Sequence, residues 1–178
     1  MIKLNLSVLF VAALVVSAQA ELRIGPKVGA FQPTAKKTRD ALGSTWFGFG
    51  FGPVDTRGST ERSQIGSDFR VLTRNSRGNR FLMISPSYGP TITLGDPNSQ
   101  GAVPYVAFRV GPSYFDYGIG TGAARVSKKR LGYNLNMELG ATLSNAGRLA
   151  LRYDRVSRFD GYNFDGLSLE FMFSIGRF

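Results

Sequence analysis

The chain contains no cysteine and no histidine among its 178 residues, and a single tryptophan. Without cysteine there can be no disulfide framework, no thiolate zinc site, no thiol nucleophile and no lipid-modified N-terminal Cys. Without histidine the usual general base and the commonest metal ligand are missing. No Ser/Lys or carboxylate pair has the spacing of a catalytic motif, and the scattered carboxylates do not spell a calcium loop. The glycine runs Gly48-Phe49-Gly50-Phe51-Gly52 and Gly118-Ile119-Gly120-Thr121-Gly122 lack the strand–loop–helix setting and the lysine of a phosphate-binding loop. The sequence therefore predicts no enzyme, no cofactor and no metal. Acidic residues are also scarce, 12 Asp+Glu against 22 Lys+Arg, for a net charge of +10. A hydrophobic content of 43% with 12% aromatics argues for a folded chain rather than a disordered one.

Long apolar runs are absent except at the start. Met1-Ile2-Lys3 supplies a short basic segment, Val8 to Val16 is continuously apolar, and Ser17-Ala18-Gln19-Ala20 ends in small residues of A-x-A type. This is the layout of a secretory signal peptide cleaved after Ala20. The run is short for a spanning helix of about 20 residues, so a membrane anchor is the weaker reading. Residues 1–20 are expected to be an export signal and residues 21–178 a single domain. Export also removes nucleic acid as a partner for the basic charge.

After the signal the period is two. From Leu131 to Leu143 every odd position is apolar and every even one is polar or glycine, as in a strand with one face of each kind. Comparable alternation occurs at Leu22–Ala30, Phe47–Phe51, Asp68–Arg74, Leu82–Leu94, Tyr105–Tyr114, Arg148–Asp154 and Gly166–Ile175, so eight strands are expected. Turn signals separate them at Thr56-Arg57-Gly58, Ser76-Arg77-Gly78-Asn79, Asp96-Pro97-Asn98, Ser144-Asn145-Ala146-Gly147 and Asp160-Gly161. Only Thr34–Gly43 suggests a helical turn, with Gly43 placed to end it. The triplets Pro86-Ser87-Tyr88 and Pro112-Ser113-Tyr114 read as coincidence rather than repeat. Pro26, Pro53, Pro86, Pro90, Pro104 and Pro112 cannot donate to a ladder, and rims or bulges are the expected places for some of them.

Eight amphipathic antiparallel strands close into a barrel without exposed edges. A soluble carrier would turn its apolar face inward; an outer-membrane barrel turns it toward lipid. The polar face is rich in glycine, including Gly48, Gly50, Gly52, Gly132, Gly140 and Gly166, which suits a narrow interior better than a solvated sheet. The apolar face carries charge only near its ends, at Arg155 and Arg177, and it carries Tyr88, Tyr114, Tyr133 and Tyr153 as an interfacial belt would. The fold class read from this pattern is all-β, an eight-stranded antiparallel up-and-down transmembrane β-barrel.

In this architecture the chain resembles the small eight-stranded outer-membrane barrels of the outer-membrane protein A and X type. The resemblance spans Glu21–Phe178 and rests on the export signal, the alternating strands and a last strand ending in Phe. It implies an outer-membrane location, a monomer, and Phe178 as an assembly signal for the barrel-assembly machinery. Phe178 is out of phase with the apolar residues of Leu167–Ile175, so either a bulge near Gly176 repairs the phase or the recognition strand is atypical. The fold implies no activity of its own.

Two sets of charges are candidate sites. Arg23, Lys27, Asp68, Arg70, Arg109, Glu138, Arg148, Arg152, Asp154 and Glu170 share the polar parity and should pair inside the lumen, because an unpaired buried charge is costly. They either plug the barrel or line a narrow pore for small solutes; the plug is favoured at this strand number. The second set is Lys36, Lys37, Arg39, Arg74, Arg77, Arg80, Arg125, Lys128, Lys129, Arg130 and Arg158. With an even strand number these fall in the outward connections Thr34–Gly43, Arg74–Arg80, Phe115–Arg130 and Arg155–Asn163, making one rim basic. They are either solvated loop charges or contacts for lipopolysaccharide phosphates, with Lys128, Lys129 and Arg130 the best single cluster. The function read from the sequence is a structural or surface-interaction barrel in the outer membrane, contacting lipid and lipopolysaccharide. The alternatives are a small-solute pore and a secreted soluble barrel binding an apolar ligand.

Overall fold

Alternating side chains turn to opposite sides of a strand, and in this chain the alternation is long enough to close a sheet on itself. A computed structural model describes residues 24–53, 63–96, 99, 101–120, 122, 125–143 and 147–173. The signal segment, Arg23 and the terminal Phe178 lie outside the described residues.

The strands are β1 (Ile24–Pro33), β2 (Trp46–Pro53), β3 (Ser63–Ser76), β4 (Asn79–Thr93), β5 (Val103–Ile119), β6 (Val126–Leu143), β7 (Gly147–Val156) and β8 (Gly166–Phe173), with one short helix, α1 (Lys36–Leu42), between β1 and β2. Each strand pairs antiparallel with the next, and β8 closes onto β1 through pairs such as Val28↔Phe171. The expected fold class is the observed one. The strands run farther than the patterns suggested. Phe115–Ile119 belongs to β5 and Val126–Arg130 to β6, paired from Phe115↔Arg130 to Ile119↔Val126, so the expected long loop is largely hairpin. Likewise Arg74 and Arg80 lie within β3 and β4, and Arg155 lies within β7.

The helical turn expected at Thr34–Gly43 is α1, and Gly43 ends it at φ 87°. Seven residues are too few for a helix to stand alone, so its free carbonyls are held from outside. Arg74 Nε donates to Leu42 O at 2.9 Å and Asn79 Nδ2 to Ala41 O at 2.7 Å. Thr38 Oγ1 ties the same helix to Asn163 O at 2.6 Å. The β3–β4 turn places Arg77 and Gly78 at φ 52° and 78°, the double positive φ of a type I′ hairpin. Asp160 and Gly161 repeat it in the last connection, where Phe159 and Tyr162 pair.

The outer surface carries the apolar parity. Phe47, Ile65, Phe108, Val110, Leu131, Leu139, Leu151 and Leu169 are all exposed large hydrophobics, an arrangement that water penalises and hydrocarbon accepts. Inside, space is short. A Cβ added at Gly50 would lie 1.9 Å from Phe69 O, so only glycine lets β2 approach β3 there.

The inward face changes character along the axis. In β4 the inward side chains run Phe81, Met83, Ser85, Ser87; in β5 they run Arg109, Ser113, Phe115, Tyr117, Ile119. The middle of the lumen is polar, and the end near α1 is a hydrophobic cluster of Phe31, Leu42, Trp46, Leu72, Phe81, Met83, Phe115, Tyr117, Ile119, Val156 and Phe164. Trp46 stacks on Phe31 and Phe81 at 5.2 and 4.6 Å, and Phe81 meets Phe164 at 4.7 Å. At this end the polar lumen expected from the sequence gives way to an apolar one. The physical reason is that the strands there outrun the apolar belt, so water lies outside and the dry side is the inside.

One seam departs from a regular ladder. The β4–β5 pairs are continuous from Arg80↔Gly118 to Ile84↔Tyr114, resume at Tyr88↔Val110, and resume again at Thr91↔Ala107. The gaps coincide with Pro86, Pro90 and Pro112, which have no N–H to give. These three sit within strands, not at rims, whereas Pro53 pairs with Ile24 at the end of β2 and Pro104 pairs with Ala141 one residue into β5. The two Pro-Ser-Tyr triplets lie across this seam from one another. Ser85 and Ser113 bond across it at 2.8 Å, and Gly111 lets the strands close in: a Cβ there would lie 2.0 Å from Pro86 O.

Candidate functional site

Lys27 on β1, Asp68 and Arg70 on β3, Arg109 on β5, Glu138 on β6, Arg152 and Asp154 on β7 and Glu170 on β8 all project inward by their strand parity and are buried. The tilt of the strands brings them to one level of the lumen. Arg152 is the hub: its guanidinium lies 2.8 Å from Asp68, 2.9 Å from Asp154, 3.3 Å from Glu138 and 4.0 Å from Glu170. Lys27 bonds Asp68 at 2.5 Å and Glu170 at 3.4 Å, Arg70 pairs with Asp154 and with Glu170 at 3.0 Å, and Arg109 pairs with Glu138 at 2.9 Å. Lys27, Arg70, Arg109 and Arg152 thus match Asp68, Glu138, Asp154 and Glu170 one for one. Asn134 adds a hydrogen bond to Asp154 at 3.1 Å. Matching matters because each ion alone would carry several kcal/mol of desolvation cost.

Arg148 stands apart, toward the end of the barrel opposite α1. It donates to Pro53 O at 2.6 Å and lies 4.5 Å over the Tyr105 ring. Among the described residues no group of Asp and Glu could hold a metal ion. The four carboxylates of the central cluster are each bound by at least two cations.

The other charge set gathers at the α1 end and divides by what each residue touches. Arg39 Nη1 donates to Pro33 O at 2.8 Å and also to Thr34 O, and Arg74 caps α1, so both guanidiniums are anchored by backbone rather than freely solvated. Lys36 pairs with Asp40, and Lys37 lies 4.4 Å over the Tyr162 ring. Arg80 meets Asp116 at 3.2 Å, Arg158 lies 3.8 Å from Asp165, and Arg125 borders Gly118. Lys128 is bound to Asp160 at 2.8 Å, with Arg130 beside it. Tyr117 also donates to Asp160, and these two donors hold its carboxyl below the usual aspartate range. Arg77 and Lys129 are exposed and have no ion pair among the described residues.

The aromatic cluster closing this end went unseen in the sequence because Phe81, Phe115 and Tyr117 share the parity of the polar face. The available signal was the reversal within one parity, from Arg109 and Ser113 to Phe115, Tyr117 and Ile119.

No family model matches the chain, and no curated protein matches it. Solved structures do. It is similar to the N-terminal β-barrel domain of Pseudomonas aeruginosa OprF, at 12% identity and TM-score 0.54, over 84% of this chain and 96% of that one. Neisserial surface protein A aligns at 10% identity and TM-score 0.53, over 88% and 98%. The outer membrane enzyme PagL aligns at 15% identity and TM-score 0.50, over 84% and 99%. At such identities the likeness is one of fold: the small eight-stranded outer-membrane barrel. Because PagL is an enzyme, the fold itself is compatible with catalysis.

Proposed function

We propose that the chain is an integral outer-membrane barrel with a structural or surface-interaction role, exported by a signal peptide cleaved after Ala20. Residues 21–178 then form the barrel, acting as a monomer, with the α1 end facing out and its cations meeting lipopolysaccharide phosphates. One observation carries this reading: the chain is apolar outside and ionic inside over the same stretch of strand. An Arg on the lipid face at the midplane would cost about 2–4 kcal/mol, and the described outer belt has Arg155 only toward its α1 edge. The saturated ion cluster supports a plug rather than a channel. The buried charges at the barrel's middle argue against a soluble carrier of apolar ligands. The central carboxylates, each bound by cations, favour a role without catalysis.

Fractionation tests the reading directly. The protein should stay in the outer-membrane pellet after alkaline carbonate extraction and migrate faster on a gel when unboiled. Its N-terminus should read Glu21. Release into the soluble fraction would overturn the membrane assignment. Biogenesis through the barrel-assembly machinery predicts loss of the folded band when that machinery is depleted, and the role of Phe178 is tested by deleting it.

A further inference from the structure

Within the basic rim one place has the form of a binding site. A cleft of about 480 Å³ lies between α1 and the β3–β4 turn, lined by Arg39, Asp40, Ser44, Arg74, Ser76 and Arg77, with Gly43 at its base. We propose that this cleft seats a phosphate monoester of a lipid-linked sugar, so that it is the point at which the rim holds lipopolysaccharide. The inference rests on the rim reading above and narrows it to one site.

Three features support the assignment. Arg39 is fixed through Nη1 by the Pro33 and Thr34 carbonyls and Arg74 through Nε by Leu42 O, which leaves other N–H groups of both forks to donate; holding them in advance lowers the side-chain entropy cost of capture. Arg77, exposed at the tip of the β3–β4 turn, adds a third guanidinium to the lining. The one carboxylate in the cleft, Asp40, is already paired with Lys36 at 2.6 Å, so it opposes an anion weakly.

Depth selects the lipid-linked source. Phe47 and Thr73 pair at the edge of the lipid-facing belt, and Ser76 is three residues farther along β3. At about 3.3 Å per residue on a tilted strand, the cleft stands roughly 7 Å above that edge, the level of headgroups. By contrast Lys128, in the cluster favoured from sequence, is committed to Asp160.

The protein carries its own reporter. Trp46 is the only tryptophan, and its indole N–H donates to Gly43 O at 2.9 Å, beneath the cleft. The full mature barrel in nanodiscs of zwitterionic lipid should be titrated with a soluble bisphosphorylated glucosamine disaccharide, with the same sugar lacking phosphate, and with inorganic phosphate. The expected result is a saturable change in Trp46 emission with the phosphorylated sugar and none with the bare sugar. Inorganic phosphate should compete only at much higher concentration; if it binds as well as the phosphorylated sugar, the site takes free phosphate and the lipid assignment is wrong. Arg77→Gln, which breaks no contact among the described residues, should weaken binding on the order of tenfold. The triple change Lys128→Gln, Lys129→Gln, Arg130→Gln, elsewhere on the rim, should weaken it less than Arg77→Gln does. Binding to lipopolysaccharide vesicles then separates the two ideas. If only the triple variant loses vesicle binding, the rim reading stands and the cleft is overturned; if neither variant loses it, both fall.

Discussion

Arg152 touches every carboxylate of the central cluster, so its loss differs from the loss of any other residue there. Arg152→Met leaves the anions short of one positive charge, and breaking such a buried set by removing one partner costs about 3–5 kcal/mol. The expected outcome is a lower urea midpoint for the variant refolded into vesicles. Arg152→Lys should recover only part of it, because an ammonium cannot fork between carboxylates as a guanidinium does. Asp160 makes a smaller, pH-dependent contribution. Its carboxyl is held below its ordinary value by Lys128 and Tyr117, so its contacts stabilise the last connection above the ordinary aspartate range. That stability is lost as pH falls through the lowered folded value. Amide exchange of residues 157–165 should therefore stay slow at neutral pH and accelerate only below about pH 4; acceleration already near pH 6 would show that some other group holds the loop.

Among the elements, β6 separates the two environments most cleanly. Leu135 is exposed on the lipid side and Asn136 is buried inside, bonded to Ser87 at 3.3 Å. Leu139→Arg, beside the level of the ion cluster, should lower the folded fraction in vesicles by about 2–4 kcal/mol equivalent, while Leu139→Phe should be tolerated. Equal yields for the two would mean that this face does not meet hydrocarbon. For α1, Asn79→Ala removes the cap on Ala41 and the acceptor for Gly120 N–H at 3.0 Å, so exchange should quicken in both segments with the barrel intact. The strands and α1 were legible in the sequence because period two and a stop glycine are local signals. The inward set from Lys27 to Glu170 was legible by parity alone. The hub role of Arg152 was not, since it depends on strand tilt, which stacks residues far apart in sequence. Nor was the anchoring of Arg39 and Arg74, because a guanidinium bound to a distant carbonyl leaves no pattern in its neighbours.

At the scale of the whole molecule two separate clusters lie along the lumen, the ionic one at its middle and the aromatic one near α1, and the proposed plug would rest on both. Removing one should not open the other. Phe164→Ala thins the aromatic packing around Phe81, Phe115 and Tyr117, yet planar-bilayer recordings should still show no discrete conductance steps. Steps in the parent protein would instead favour the pore.

The interrupted β4–β5 seam has a mechanical consequence. Among the described residues the neighbouring ladders, β3–β4 from Ser63↔Ile92 to Ser76↔Asn79 and β5–β6 from Val103↔Thr142 to Ile119↔Val126, are unbroken. Load pulling the wall apart around its circumference is shared by fewer bonds between β4 and β5 than between either and its other neighbour. On this side of the cylinder the wall has a line of weakness, and under tension it should part between β4 and β5 before it parts between β3 and β4 or between β5 and β6. Force spectroscopy on the embedded protein, pulled across β4 and β5, should show Pro112→Val raising the force at which this seam parts, because the added N–H puts one more bond across it.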